Sequence, residues 1–372
     1  MRERQPHVTV AMITYNHEKF VGDAVRSILA QTYADFELVI VDDGSTDATA
    51  EVIRGLRDER IVYLRQENQG PSEARNTALR VARGTLIAQM SGDDVAEPAR
   101  LERQVACHRD RPNSVIFSHC TFIGDDSRAI DGARWEKLTN RPNWTGDATL
   151  RYLYLDGNCF LAPSALAARS AFEAVGPYNP VMLQLQDYDM WVRFLLKGYE
   201  PHIVEEPLMQ HRIRAGGANL SSPSHGSNVR AHFERQRLLR EFLTINRARR
   251  VVEIFPDAAS LGYPLDDDLV PFLLVMIGLK AEPQRNVLQT FAADLLMELM
   301  ENPATRKLLS EKAGFHLPDL FRILGQIDPF NAQRLRTRLG STQKQLKELI
   351  ESRTWRVART LRSLTTGLIG RH

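Results

Sequence analysis

Adjacent carboxylates at Asp93 and Asp94, in Ser91-Gly92-Asp93-Asp94, follow directly on the apolar run 85–90. Two like charges side by side repel unless a cation lies between or beside them. Hard oxygen donors favour Mg2+ or Mn2+, which reach a protein through one or two carboxylates plus substrate phosphates. Gly-Asp is also ordinary turn chemistry, so a plain turn is the competing reading. A second acidic stretch, Asp42-Asp43-Gly44-Ser45-Thr46-Asp47, follows the apolar run 36–41, and Asp187 and Asp189 open a helical pattern. Turn and cap roles compete for Asp42 and Asp47, and a first-turn helix acid competes for Asp189. His211, Arg212 and Arg214 lie in a stretch, 210–224, rich in glycine and serine, which reads as a mobile loop.

Positioning these groups on one rim requires a sheet. Residues 8–13 form a β-rich run that opens into Thr14-Tyr15-Asn16, and Val21, Ala24, Val25, Ile28 and Leu29 then keep helical spacing. Strands at 36–41, 61–65 and 85–90 alternate with helices at 48–57 and 73–82, the latter preceded by Asn68-Gln69-Gly70-Pro71-Ser72. Four β-loop-α units in about 95 residues predict a doubly wound, Rossmann-like, mostly parallel sheet with right-handed crossovers. The candidate ligands then all lie at strand carboxyl ends, where open α/β sheets bind. Further along, a helix is expected at 101–108, a strand from 115 toward 122, loop over 125–143 with Trp135 and Trp144 about it, and a short strand or elbow at 157–161. Helices are expected at 166–174 and from 186, and Trp191 reads as core more readily than as a ligand platform.

Beyond residue 229 the pattern turns helical, which predicts three parts: a sheet domain at 1–225, an α-helical domain at 226–330 and an amphipathic helix at 331–372. In that last helix Leu335, Leu339, Leu346, Ile350, Val357, Leu361, Leu364 and Leu368 keep spacings of four, three or seven over much of its length, and residues 352–372 hold five arginines and no acid. Such a face suits a partner helix in a homo-oligomer or on another protein, an anionic membrane surface, or packing on its own domain.

Lysine and arginine total 48 against 46 acidic residues, and the net charge of +2 gives no case for nucleic-acid binding. Hydrophobic residues at 43% and charged residues at 25% are those of a globular protein. Cys107, Cys120 and Cys159 are widely spaced and odd in number, which favours a reduced, cytoplasmic setting. The charged N-terminus lacks the apolar core of a signal peptide. The most apolar window, 270–279, is shorter than the roughly 20 residues of a membrane span.

Taken together, residues 10–16 (VAMITYN), 41–47 (VDDGSTD), 68–76 (NQGPSEARN), 91–94 (SGDD) and 185–193 (LQDYDMWVR) resemble glycosyltransferase family 2, over roughly residues 8–222. The resemblance implies the GT-A fold and inverting transfer from a nucleotide sugar, a UDP-sugar by family habit, to a saccharide or lipid-linked acceptor, helped by Mn2+ or Mg2+. It implies that Thr14, Tyr15 and Asn16 line the nucleotide site, with Tyr15 against the base. Asp43 would accept a hydrogen bond from the base, Arg75 would sit near base or diphosphate, and Asp93 would contact ribose or sugar. Asp94 would hold the metal, Asp187 would be the general base, and His211 and Arg214 would belong to the late donor-side loop. Two departures stand out: Ser91 occupies the first position of a D-x-D-D pattern, and Arg214 occupies the histidine position of Y-R-x-H. An arginine there can hold a phosphate and cannot ligate a metal. Residues 351–362 look like a segment that follows many bacterial surface-polysaccharide glycosyltransferase domains, so O-antigen, capsule and glycoprotein products are all open. Two alternatives are a sugar nucleotidyltransferase, for which Thr14-Tyr15-Asn16-His17 lacks the glycine-rich basic loop, and an inactive scaffold of a polysaccharide-synthesis complex.

Overall fold

The computed structural model describes residues 5–132, 136–137, 139–281, 286–328 and 332–351. It divides into two compact units, Met1–Ile277 and Gly278–His372. In the first unit the chain runs β1 (Val8–Thr14), α1 (Val21–Leu29), β2 (Phe36–Asp42), α2 (Thr49–Gly55), β3 (Ile61–Arg65), α3 (Pro71–Val81) and β4 (Leu86–Ser91). Every residue of β2 is buried, as expected of a strand covered on both faces. Helix α1 turns Val21, Ala24, Val25 and Ile28 inward, onto the sheet core that holds Val10, Met12, Leu38 and Ile40.

Next come β5 (Val95–Ala96), α4 (Arg100–Asp110), β6 (Ser114–Ile123), α5 (Gly146–Leu155), β7 (Leu166–Ala168), α6 (Arg169–Val175), α7 (Gln186–Leu196) and β8 (Glu200–Arg212). The eight strands form one sheet in the order β3-β2-β1-β4-β7-β6-β8-β5. The β1–β2, β1–β4, β2–β3 and β6–β8 pairs are parallel, while β7 and β5 run against their neighbours. The α/β, mostly parallel fold expected from the sequence is therefore present.

Three details differ from expectation. Residues 166–168 form a strand before helix α6, because they pair antiparallel with β4 (Leu86↔Ala168). The long strand β8 takes in Gln210, His211 and Arg212, so the start of the expected mobile loop is sheet. Its pattern was hidden by Pro201, Glu205, Glu206 and Pro207; the register jumps from Ser118↔Val204 to His119↔Pro207, which leaves the two glutamates in a bulge.

The third difference is the division of the chain, which falls after Ile277 rather than at 225. Helices α8 (His225–Leu239), α9 (Ala248–Ile254) and α10 (Val270–Leu279) follow in order. Tyr154 of α5 meets the Phe242 and Phe255 rings at centroid distances of 4.8 and 5.1 Å and donates to the Leu274 carbonyl at 2.9 Å. Arg250 of α9 pairs with Asp147 of α5. Helical periodicity reports a buried face and is silent on which core buries it.

The second unit contains α11 (Asn286–Glu301), α12 (Pro303–Ala313), α13 (Leu317–Leu324) and α14 (Ala332–Glu351). Leu288, Phe291, Leu296, Leu309 and Leu320 are buried there, whereas Leu339 and Leu346 on α14 are exposed. The expected basic end of the tail, 352–372, and Trp135 lie outside the described residues. Among the described residues no helix is long and apolar enough to cross a membrane.

Candidate functional site

Parallel register brings the chemistry to one rim. Thr14 aligns with Asp42, Ile13 with Ser91 and Asp42 with Arg65, so the segments after β1, β2, β3 and β4 leave the sheet at one level. Gly92 makes the tightest approach: a Cβ there would lie 2.4 Å from Thr14 Oγ1 and 2.7 Å from Thr14 Cβ. No side chain fits between those strand ends. Immediately after Asp94, β5 pairs antiparallel with β8 (Val95↔Gln210), and this carries His211 across 117 residues of chain to the Asp pair.

These residues line a cavity of about 810 Å3 whose wall includes Thr14, Tyr15, Asp43, Arg75, Asp93, Asp94, Asp187, His211 and Arg214. Nine of the ten site residues expected from the sequence thus surround one space. The exception is Asn16. Its backbone has φ 54°, and its side chain is turned to the β2–α2 loop, where Oδ1 accepts from Thr46 N at 2.8 Å while its own N–H donates to Ser45 Oγ. It joins two loops and does not line the cavity.

Asp94 is buried, and its Oδ1 accepts from Arg212 N and from His211 Nδ1, each at 2.9 Å. Its Oδ2 is buried with no hydrogen-bond partner among the described residues. An orphaned carboxylate oxygen is costly unless something else satisfies it. A hard divalent cation fits that oxygen. Among the described residues no three His, Cys, Asp or Glu side chains are grouped as a metal site. Burial pushes the Asp93 carboxyl up; His17, with Nε2 at 3.6 Å, opposes this and the Asp94 charge adds to it. For His211 burial acts downward, but the Asp94 carboxylate outweighs it and the imidazole is raised.

Across the cavity stands Asp187, in the first turn of α7. Its Oδ1 accepts from Tyr188 N at 2.7 Å and its Oδ2 from Asn158 Nδ2 at 3.0 Å. Burial pushes this carboxyl up, while the Tyr188 amide, the Arg75 charge and Asn158 restrain the rise. Asn158 lies in the elbow after α5 and also lines the cavity; no motif in the sequence marked it. Arg75 is buried, donates Nη1 to Gln89 Oε1 at 2.5 Å, and lies 5.7 Å from the centre of the Tyr178 ring. Its positive charge acts on the Asp187 carboxylate across the cavity wall.

Other acidic and basic candidates are structural. Asp42 accepts from Ser45 N and Tyr63 Oη, and Asp47 accepts from Thr49 N and Glu18 N. Asp43 lines the cavity, yet its carboxylate accepts from Gln66 Nε2, Gln69 N and Gly70 N, tying down the loop that starts α3. Arg212 is buried and donates to the carbonyls of Asp93 and Gly124 and to Ser127 Oγ, so it is not free for a phosphate. Arg214 is different: it faces the cavity, and its guanidinium lies 5.4 Å from the Phe20 ring centroid. Asp189 pairs with Arg193 at 2.8 Å, and Trp191 is core, edge-on to Phe117.

Residues 9–176 match the family described as Glycosyl transferase family 2. The chain is 31% identical over 215 residues to the uncharacterized glycosyltransferase MJ1057 of Methanocaldococcus jannaschii, covering 56% of this chain and 71% of that protein. It is 32% identical to the putative teichuronic acid biosynthesis glycosyltransferase TuaG of Bacillus subtilis, covering 57% and 81%. It is 27% identical to the UDP-Glc:alpha-D-GlcNAc-diphosphoundecaprenol beta-1,3-glucosyltransferase WfaP of Escherichia coli, covering 57% and 79%. Its fold is similar to that of S. aureus TarS 1-349 in complex with UDP, with a TM-score of 0.51 at 17% identity over 83% of this chain and 92% of that one. With a relative above 30% identity matched over most of its length, and with the motif residues gathered on one rim, this chain belongs to glycosyltransferase family 2 and is a glycosyltransferase.

Proposed function

We propose that the enzyme transfers a sugar with inversion from a UDP-sugar to a hydroxyl of a saccharide or lipid-linked acceptor, in the synthesis of a cell-surface polysaccharide at the cytoplasmic side of the membrane. The observation that carries this reading is that one cavity joins the orphaned Asp94 oxygen to the Asp187 carboxylate. The acceptor class is supported by the names of two relatives, one for teichuronic acid synthesis and one for a diphosphoundecaprenol-linked acceptor. The UDP in the structural neighbour supports the nucleotide.

A sugar hydroxyl is very weakly acidic, so a carboxylate must take its proton as the new bond forms. Asp187 does so in this reading. Asn158 and the Tyr188 amide fix its two oxygens, and the burial that raises its proton affinity makes it a stronger base. Tyr15, half-exposed at the cavity wall, offers a ring face to the base, and Arg214 offers a cation to the diphosphate. Mn2+ or Mg2+ held at Asp94 Oδ2 would supply the positive charge that the departing nucleoside diphosphate needs.

The test is hydrolysis of a panel of UDP-, GDP- and dTDP-sugars with Mn2+, with Mg2+ and with chelator. UDP-sugar hydrolysis that stops with chelator is expected; turnover indifferent to chelator, or confined to another nucleotide, sinks the corresponding part of the reading.

A further inference from the structure

Helix α7 carries Asp187 but has no cap of its own, since its N-cap residue is Leu185. The segment leading into it presents three consecutive backbone amides, of Leu183, Gln184 and the N-cap Leu185, that need acceptors. Glu234, buried on α8, takes all three: Leu183 N donates to its Oε1 at 2.9 Å, and Gln184 N and Leu185 N donate to its Oε2 at 2.9 and 2.7 Å. A negative charge at a helix N-terminus is also favoured by the macrodipole. The next residue does the opposite job. Arg235 Nη2 donates to the carbonyls of Tyr154 and Leu155, at 3.4 and 3.1 Å, which end α5 just before Asn158.

We propose that Glu234 and Arg235 are a pair of positioning residues that set the Asn158–Asp187 hydrogen bond. The anion grips the segment entering the helix of Asp187, and the cation grips the helix leading to Asn158. This rests on the reading of Asp187 as the base. It also gives the segment after residue 225 a task in catalysis: the loop 213–223, which lines the cavity through Ile213, Arg214 and residues 218–223, feeds directly into the helix bearing both residues.

The experiment measures hydrolysis of the UDP-sugar turned over fastest in the panel above, together with UDP affinity by calorimetry. The variants are Glu234→Gln, Arg235→Lys, Asn158→Ala, Asp187→Asn and the double variant Glu234→Gln/Asn158→Ala. A glutamine has one carbonyl oxygen and must turn its amide against at least one backbone N–H. A misplaced base of this kind lowers kcat by about 10- to 100-fold, with UDP affinity unchanged. The acid limb of the pH–rate profile should move to lower pH as water enters around Asp187. The double variant should be no slower than Asn158→Ala alone, since both act through one hydrogen bond. Arg235→Lys, which keeps the charge and loses the planar fork, should show a smaller loss with the same shift, and it decides the matter if the Glu234 variant does not accumulate as folded protein. An inactive Asp187→Asn beside a Glu234→Gln with normal turnover, or with lost turnover, an unmoved acid limb and losses additive with Asn158→Ala, overturns the clamp alone. A fully active Asp187→Asn overturns both the base and the clamp.

Discussion

Replacing Gly92 by alanine should damage catalysis far more than folding. The added Cβ would sit 2.4 Å from Thr14 Oγ1 and 2.7 Å from Thr14 Cβ, where ordinary contact begins at 3.4 Å. Because the Thr14 Cβ is fixed to the backbone of β1, turning the side chain relieves only Oγ1, and the two strand ends must still part by about 0.7 Å, the difference between 3.4 and 2.7 Å, an overpacking that costs about 1–3 kcal/mol. In a unit of this size each kcal/mol lowers Tm by about 2–4 °C. The same shift moves Asp93 and Asp94 away from Thr14 and Tyr15, and misplacement approaching 1 Å costs up to about 100-fold in rate. Gly84 supplies the control, because a Cβ there would lie 2.3 Å from Thr9 N and 2.6 Å from the Val8 carbonyl carbon, at the opposite end of the same two strands. Both variants should melt lower by thermal denaturation, but only Gly92→Ala should lose hydrolysis per folded molecule. Equal rates for the two folded variants, or a normal rate in Gly92→Ala, would refute the argument that this approach sets the site.

Asp187→Asn should keep UDP affinity while hydrolysis falls by about 10²- to 10⁴-fold, the usual contribution of a positioned base; unchanged turnover removes Asp187 from that role. Asp94→Ala should abolish the Mn2+-dependent part of UDP binding in calorimetry, and a metal-stimulated signal that persists would place the cation elsewhere. As a base Asp187 would act deprotonated, and its folded pKa is raised, so the rate should climb with pH through that raised value. The acid limb should therefore lie above the ordinary aspartate value of about 3.9, and a limb at or below it contradicts the burial argument.

The rim was legible in the sequence because its residues come straight after uninterrupted apolar runs. Once 8–13, 36–41 and 85–90 are read as parallel neighbours, Thr14, Asp43 and Asp94 must emerge together. The far wall was legible only at Asp187, through its motif. Asn158 lies in an elbow that no periodicity describes, and Glu234 acts 49 to 51 residues away from the amides it holds. A side chain serving another element's helix end leaves no local trace, and for the same reason the capping role of Asp43 on the α3 loop was invisible. Strand β8 was hidden by two prolines and two bulged glutamates, so His211 was read as a loop residue although pairing with β5 and β6 fixes it.

That pairing divides the chain into parts that can change and a part that cannot. Residues 124–199 leave from and return to neighbouring parallel strands, so a change of length there need not shift Phe122↔His211 or Val95↔Gln210 provided that Gly124 and Ser127, which hold Arg212, are kept. A slip of β8 by one residue would instead turn His211 to the opposite face and leave Asp94 without its imidazole. Loop grafting between β6 and β8 must therefore spare Gly124, Ser127, β7, Asn158 and Asp187, with the thirteen residues of β8 kept intact.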